Sequence, residues 1–493
     1  MMRLNRLSVS CMVLGVVLSM PLCAQDDGFG FGFDDTPDGG GNETAGSASS
    51  GITISGEAKG KLQGFINDFD DADSLKLGNI FLGKLNFAAN ASYGGAIINL
   101  RLAPSLEYYD GKSPVYVDEA YAQGNFGSVN VEAGLRKLTW GKADSYGPLD
   151  VINPIDYSDA STLANTGDVK IPRPMVHAAF HVGDFSKLEA VFVPNFQGNR
   201  YEMRYDNRWA ISQVKTLPDM VAKGIAGQFP SPLPPAVIAG YSNQMETILR
   251  KSDLSAYLPD TTSIRYAQGG LRFTTTTGPA DWGLQYYYGR LARPSLNGIT
   301  PTYTISDPLN PATLTLTGLR MNAAYNPYHH IGADYAQVIG GFNVRAEFSA
   351  NITDDLAGDD GAVYNPFLAW SLGFDRSLFW NIKLNLQANE KVRLMHGNIG
   401  NNPALDTEAG TDTTSTRITA VLSRVFLQDK LECKLTALWD IEDRGCYVIP
   451  ALRWKQDDIS FELAGGIFTG DDRGELGQYH DNGFLRLQMT YSF

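Results

Sequence analysis

Along most of this chain, apolar side chains recur at every second position. Phe342, Val344, Ala346, Phe348 and Ala350 alternate with Asn343, Arg345, Glu347, Ser349 and Asn351. Ile382, Leu384, Leu386 and Ala388 alternate with Lys383, Asn385, Gln387 and Asn389. The segments beginning at Ile98, Leu431 and Ile459 repeat the pattern. A period of two belongs to the β-strand, whose successive side chains point to opposite faces. Counting such segments back from Phe493 predicts about 18 strands (16–18), with one hairpin more or fewer left open within 312–340.

The two faces differ in kind. The apolar faces are nearly free of charge, whereas Arg, Lys, Glu and Asn crowd the opposite ones. After residue 51 no apolar run approaches the ~20 residues of a spanning helix. An all-β transmembrane antiparallel β-barrel over 52–493, its apolar face toward lipid and its polar face toward water, satisfies both faces and every backbone group.

Connections then orient it. Short turns fall at 91–95, 124–128, 182–186, 276–280, 339–341, 375–380, 427–430 and 455–458; long loops fall at 141–172, 197–263, 292–329, 395–415 and 469–482. In such barrels short turns are periplasmic and long loops extracellular. The last segment, "FLRLQMTYSF", is expected to pair with the first strand near 52–67 and close the barrel. Its Tyr491 and Phe493 resemble the C-terminal signature read by the barrel-assembly machinery. Within 197–263, "PDMVAKGIAGQF" and "AVIAGYSNQMETILRK" carry helical spacing, predicting two helices folded into the pore or over it.

The first residues have their own logic. Arg3 and Arg6 precede an apolar run from Leu7 to Leu22, then "PLCAQDD". That is a secretory signal over 1–24, cut after Ala24; a lipoprotein at Cys23 fits less well behind Pro21-Leu22. Residues 25–51 are acidic and rich in Gly and Ser, the composition of a flexible linker. Export permits disulfides. Yet Cys433 and Cys446 flank the turn "IEDRG" at unequal distances, and pairing of Ile441 with Cys446 would hold the two sulfurs apart, so two free thiols are expected.

One stretch is distinctive. Glu119-Ala120-Tyr121, Gly134 to Lys137, Trp140-Gly141 and Asn153-Pro154-Ile155-Asp156 follow one another, continued by "KIPRP" at 170–174 and "AVFVPNF" at 190–196. This order, over 117–196, resembles a poorly characterised family of large outer-membrane β-barrels with a Trp-Gly…Asn-Pro-x-Asp loop motif. The resemblance implies an outer-membrane channel or transporter of unknown substrate. Lys137 departs mildly, since the family often carries Arg or Gln there. By alternation Arg136 shares the lumen face with Asn130 and Glu132, and Trp140 is placed at the outer end of that strand. Trp140, Asn153, Pro154 and Asp156 would form a constriction loop, either pinned against the wall or touching solute.

Charge completes the picture. The chain carries net −14, which together with export argues against a nucleic-acid partner. On the predicted lumen face, Arg101, Arg136, Arg272, Arg345, Lys383, Arg417, Lys434, Arg453 and Arg486 outnumber Glu132, Glu189, Glu347, Glu432 and Glu462. Rings of Arg and Lys favour anions. No Gly-x-Ser-x-Gly, Walker A or His-Glu-x-x-His motif occurs, so neither an enzyme nor a cofactor is expected. The reading is passive uptake of polar, anionic small solutes across the outer membrane, with lipids as surroundings. A fatty-acid uptake barrel and a surface adhesin displayed on a barrel stand as alternatives.

Overall fold

A computed structural model of the chain describes residues 55–66, 78–84, 87–93, 96–108, 115–307 and 310–493. The expected signal and the 25–51 linker lie outside them. From 78 to 108 the backbone alone is described.

Nineteen strands join one antiparallel sheet and two more form a separate hairpin. In chain order the first ten are β1 (Glu57–Phe65), β2 (Gly78–Lys84), β3 (Phe87–Tyr93), β4 (Ala96–Tyr108), β5 (Val115–Phe126), β6 (Val129–Arg136), β7 (Arg173–Val182), β8 (Ser186–Val193), β9 (Gln268–Thr277) and β10 (Ala280–Arg290). The separate hairpin is β11 (Ser295–Ile305) and β12 (Leu314–Ala324). The wall continues as β13 (Pro327–Ile339), β14 (Phe342–Thr353), β15 (Phe367–Ser377), β16 (Lys383–Arg393), β17 (Thr414–Phe426), β18 (Leu431–Asp440), β19 (Gly445–Gln456), β20 (Ile459–Thr469) and β21 (Phe484–Ser492). Because β2 and β3 both pair with β4, they act as two halves of one wall strand, leaving 18 positions around the ring. The ring closes where β1 meets β21, from Glu57↔Ser492 to Phe65↔Phe484.

Alternation builds this wall. Leu271, Leu284, Ile331, Leu372, Leu452, Leu463 and Leu487 face outward and are exposed, while their neighbours Arg272, Gln285, His330 and Ser371 point inward and are buried. An exposed belt of this extent is unfavourable in water and favourable in hydrocarbon, where a closed ring also satisfies every ladder group. The chain is therefore a transmembrane β-barrel of the outer-membrane kind. Phe185, Phe379, Trp380 and Phe426 are exposed beside the short turns, where an aromatic girdle meets the interface. Gly127 (φ 68°) and Gly278 (φ 60°) take the first position of two-residue hairpin loops, where a positive φ is needed.

Three features depart from the sequence reading. The stretch left open at 312–340 is split: β12 belongs to the hairpin outside the wall and β13 to the wall itself. Residues 354–366 form another connection at the long-loop end. The 441–444 connection at that same end is a tight turn, and Trp439, not Ile441, stands opposite Cys446; both thiols are free, as expected.

Loop 194–267 carries two helices, α1 (Ser212–Ala226) and α2 (Pro235–Leu249). Pro235 opens α2 where its missing N–H costs nothing. Val214, Leu217, Val221 and Ile225 of α1 pack with Tyr241, Met245 and Leu249 of α2 and with Leu314, Leu316 and Leu319 of β12. The Tyr241 hydroxyl donates to the Pro311 carbonyl at 2.6 Å. Helices and hairpin thus share a core of their own, separate from the wall strands.

Candidate functional site

Past Arg136 the chain leaves the wall and turns inward. Asn153 fastens the two ends of this excursion: its Oδ1 accepts the Leu138 N–H at 2.8 Å, and its Nδ2 donates to the carbonyls of Arg136 at 3.1 Å and Ile171 at 2.9 Å. The Pro154 carbonyl accepts the Ile171 N–H. Asp156 holds Ser158 and bonds Arg200 at 2.6 Å, tying this loop to the next. Trp140, expected at the outer end of β6, lies beyond it and is buried, edge-on to Tyr287 at 6.4 Å, with Leu138, Ile152, Met175, Val191 and Val193 around it.

Residues 141–149 then wrap one carboxylate. Glu347, an inward residue of β14, accepts the backbone N–H groups of Lys142, Ala143 (2.7 Å) and Leu149 (3.3 Å). The approach requires glycine: a Cβ on Gly141 would sit 2.4 Å from Glu347 Oε1, and one on Gly147 2.5 Å from Oε2. Asp144 reaches Arg345 and accepts from Asn385 at 2.7 Å. Its carboxyl is pushed above the ordinary range by burial, which outweighs Arg345 and Asn385. Gln387 accepts the Asp144 N–H at 2.8 Å, and Ser145 contacts Thr419. Farther along, the Ser161 carbonyl accepts from Tyr447 at 2.9 Å, and Lys61 meets Asp159 at 3.7 Å. The loop therefore touches inward residues of β14, β16, β17, β19 and β1, crossing the interior. Between its tip and the wall a cavity of about 20 Å³ is lined by Asp144, Tyr146, Asn385, Thr419, Lys434 and Thr436 among others.

The inward face divides into two charge systems. From β6 to β14 a buried chain runs Glu132–His177–Glu189, with His177 Nδ1 at 2.8 Å and Nε2 at 3.1 Å from the two carboxylates. Arg272 pairs with Asp334 at 2.7 Å and donates to Gln285 at 2.6 Å. Gln285 bonds the Leu149 carbonyl and His330, and His330 bonds Asn351. From β17 to β21 the groups are more open. Arg417 grips Asp440 at 2.6 and 2.8 Å and meets Glu475 at 3.3 Å. Arg453 holds Glu462 at 2.7 Å and stands 3.9 Å from Glu432; Arg486 reaches Glu462 at 3.4 Å. Lys434 is half-buried among them.

A family model described as "Protein of unknown function (DUF1302)" matches residues 105–422, more than half of the chain. The chain belongs to this family. No curated protein matches it. Among solved structures, this DUF1302 chain is similar to the outer membrane protein opdK from Pseudomonas aeruginosa, at 9% identity and TM-score 0.47, covering 90% of this chain and 99% of that one. It is also similar to the outer membrane channel DcaP of Acinetobacter baumannii, at 11% identity and TM-score 0.41, covering 91% and 99%. A third is OmpF of Salmonella typhi in complex with daunomycin, at 7% identity and TM-score 0.41, covering 90% and 97%. The inward loop and the β6–β14 network fall inside the DUF1302 match; Lys434, Arg453, Glu462 and Arg486 lie beyond it.

The sequence-named cations do not form an open basic ring. Arg101 stands in β4 with its side chain outside the described ones. Arg136 pairs with Glu132 and lies over the Tyr121 ring at 4.8 Å. Arg345 bonds Asp375 as well as Asp144. Lys383 is exposed at the short-turn end of β16. Six of the nine, Arg136, Arg272, Arg345, Arg417, Arg453 and Arg486, are held by carboxylates. The sequence reading omitted Asp334, Asp375 and Asp440, although each falls on the inward side of the same alternation. Glu347 as the anchor of the loop carried no sequence signal, because its partners are backbone groups some 200 residues away.

Proposed function

We propose that this DUF1302 protein is a porin-like channel that passes polar small solutes, anions ahead of cations. One observation carries the reading: a closed wall, apolar outside and polar inside, whose interior is narrowed by a loop fastened to inward side chains of five strands. A water-filled passage needs that inversion, and wide barrels of about 16–18 strands leave room for it. The preference for anions rests on the short-turn half of β18–β21, where Lys434, Arg453 and Arg486 surround two carboxylates, Glu432 and Glu462. We also read β21, whose Tyr491 stacks on Phe493 at 5.9 Å, as the segment that the barrel-assembly machinery recognises.

Planar bilayers under a KCl gradient test the proposal. The expected reversal potential has the sign of a chloride-preferring pore, and cation selectivity would overturn the preference. Liposome swelling with sugars and small organic acids tests passage itself. The separate core of α1, α2, β11 and β12 favours a second reading, a surface domain that binds ligand outside the cell. Binding by that domain in a protein without conductance would replace the channel.

A further inference from the structure

We infer that the membrane-facing wall carries a phospholipid site at β17–β21, one acyl chain lying in a groove over Pro450 and Gly465 and its phosphate on Arg424. The groove comes first. Leu422↔Leu435 and Leu435↔Pro450 are register partners, and Gly465 faces Leu485. These outward residues form one row across five strands. Pro450 and Gly465 are the two in that row without long side chains. Between them the β19–β20 ladder is interrupted, with partners Val448↔Ile467 and next Ala451↔Ala464. Proline has no N–H to give to that ladder. The result is an open groove of about 710 Å³, lined by Leu435, Pro450, Leu452, Leu463, Gly465 and Leu485 among others.

Arg424 lines the same groove. It shares the outward face of β17 with Leu422 and Phe426, and its register partner is Cys433. The aromatic row of Phe426, Trp454 and Phe461 stands two residues closer to the short turns, about 7 Å along the strands. Arg424 is thus a cation on the hydrocarbon side of the girdle, where an outward charge is disfavoured unless it is neutralised or snorkels. Among the described residues no carboxylate pairs with it. Its guanidinium lies over the Phe426 ring, 4.5 Å from the centroid, and so leans toward the headgroup level. A guanidinium fork there matches a phosphate, and the apolar groove leading from it matches the attached acyl chain. Membrane phospholipid supplies both groups in one molecule and is the solvent of this face.

The test uses the full-length barrel, stripped of lipid in detergent and titrated with phosphatidylglycerol, with bound molecules counted by native mass spectrometry. One lipid is expected to bind ahead of the rest. Arg424→Gln is expected to weaken that first binding about tenfold, and Gly465→Leu to abolish it by filling the groove. Arg376→Gln is the control, since Arg376 also lies over an aromatic ring, that of Phe342 at 4.4 Å, but does not line the groove; it should bind as wild type. Diacylglycerol, which lacks the phosphate, should bind wild type no better than phosphatidylglycerol binds Arg424→Gln. Heat-modifiable gel mobility confirms that each variant is folded before it is titrated. Unchanged lipid binding by both folded Arg424→Gln and Gly465→Leu overturns the site. So does a disulfide-linked dimer through Cys433, which would assign the groove to a second copy of the chain.

Discussion

The two sides of the lumen treat like side chains in opposite ways. Between β6 and β14, Glu132, His177, Glu189, Arg272 and Asp334 are all buried, each with a charged or hydrogen-bonded partner. Between β17 and β21, Lys434, Arg453 and Arg486 remain partly accessible around Glu432 and Glu462. The first arrangement lies under the inward loop and helps to seat it, through Gln285 and the Leu149 carbonyl. A buried charge cannot be traded without leaving its partner stranded, whereas a half-exposed one can be solvated. On the proposed reading, the first side serves structure and the second meets solute.

The largest effect should come from breaking the buried side. Arg272→Ala leaves Asp334 and Glu189 without their shared cation and should cost ~3–5 kcal/mol, read as unfolding free energy in detergent. A cost near zero would make the two sides equivalent. Next in size is a change on the opposite face of the open side. Leu435 is outward and exposed, so Leu435→Arg should cost ~2–4 kcal/mol at midplane depth. A neutral outcome there would mean that β18 is inverted by one residue, since such a slip exchanges every face.

That same alternation made much of the fold legible. Among the described residues, seven short turns, the inward and outward faces of β14, β16, β18 and β20, the closure of β21 on β1, and the two helices of the longest loop all follow from local periodicity. The site was less legible, for two physical reasons. Pairing is non-local: Arg272 and Asp334 share a face, yet nothing in either strand says that they meet. The inward loop is held mainly by backbone N–H groups donated to Glu347 and Gln387, and backbone donors are the same in every sequence. Asn153 is the exception, since its motif marked it out, although its role as a staple needed the geometry. The hairpin β11–β12 alternates as wall strands do, and only its packing on α1 and α2 sets it apart.

Asp144 links the two sides, and its effect should be smaller. Burial holds its carboxyl above the ordinary range, so the folded protein binds this proton more tightly than the unfolded chain does. The contribution to stability is then complete at pH below the ordinary carboxylate value and is lost as pH rises through the raised one. Asp144→Asn should remove that dependence and change neutral-pH stability by only ~1 kcal/mol, because the amide still accepts from Arg345. Unfolding free energies of wild type and variant at several pH values check this. Parallel curves would show that Asp144 is not the group responsible.

The smallest change in stability should carry the clearest functional signal. Lys434 faces inward on β18, lines the cavity at the tip of the loop with Asp144 and Thr419, and is half-buried. Its neighbours Glu432 and Glu462 retain Arg453 when Lys434 is neutralised, so neither of these carboxylates is stranded. Lys434→Gln should therefore move stability by no more than ~0.5 kcal/mol. If ions pass this wall, the loss of one positive charge still matters. A unit charge about 6 Å from the ion path in a water-like dielectric is worth a little over kT for each ion, with opposite sign for the two, or about tenfold in the chloride-to-potassium permeability ratio. Reversal potentials in a KCl gradient measure that ratio, and the shift should shrink as salt rises. An unaltered ratio at low salt would move the solute path away from β18, and with it the contrast between a sealed side and an open one.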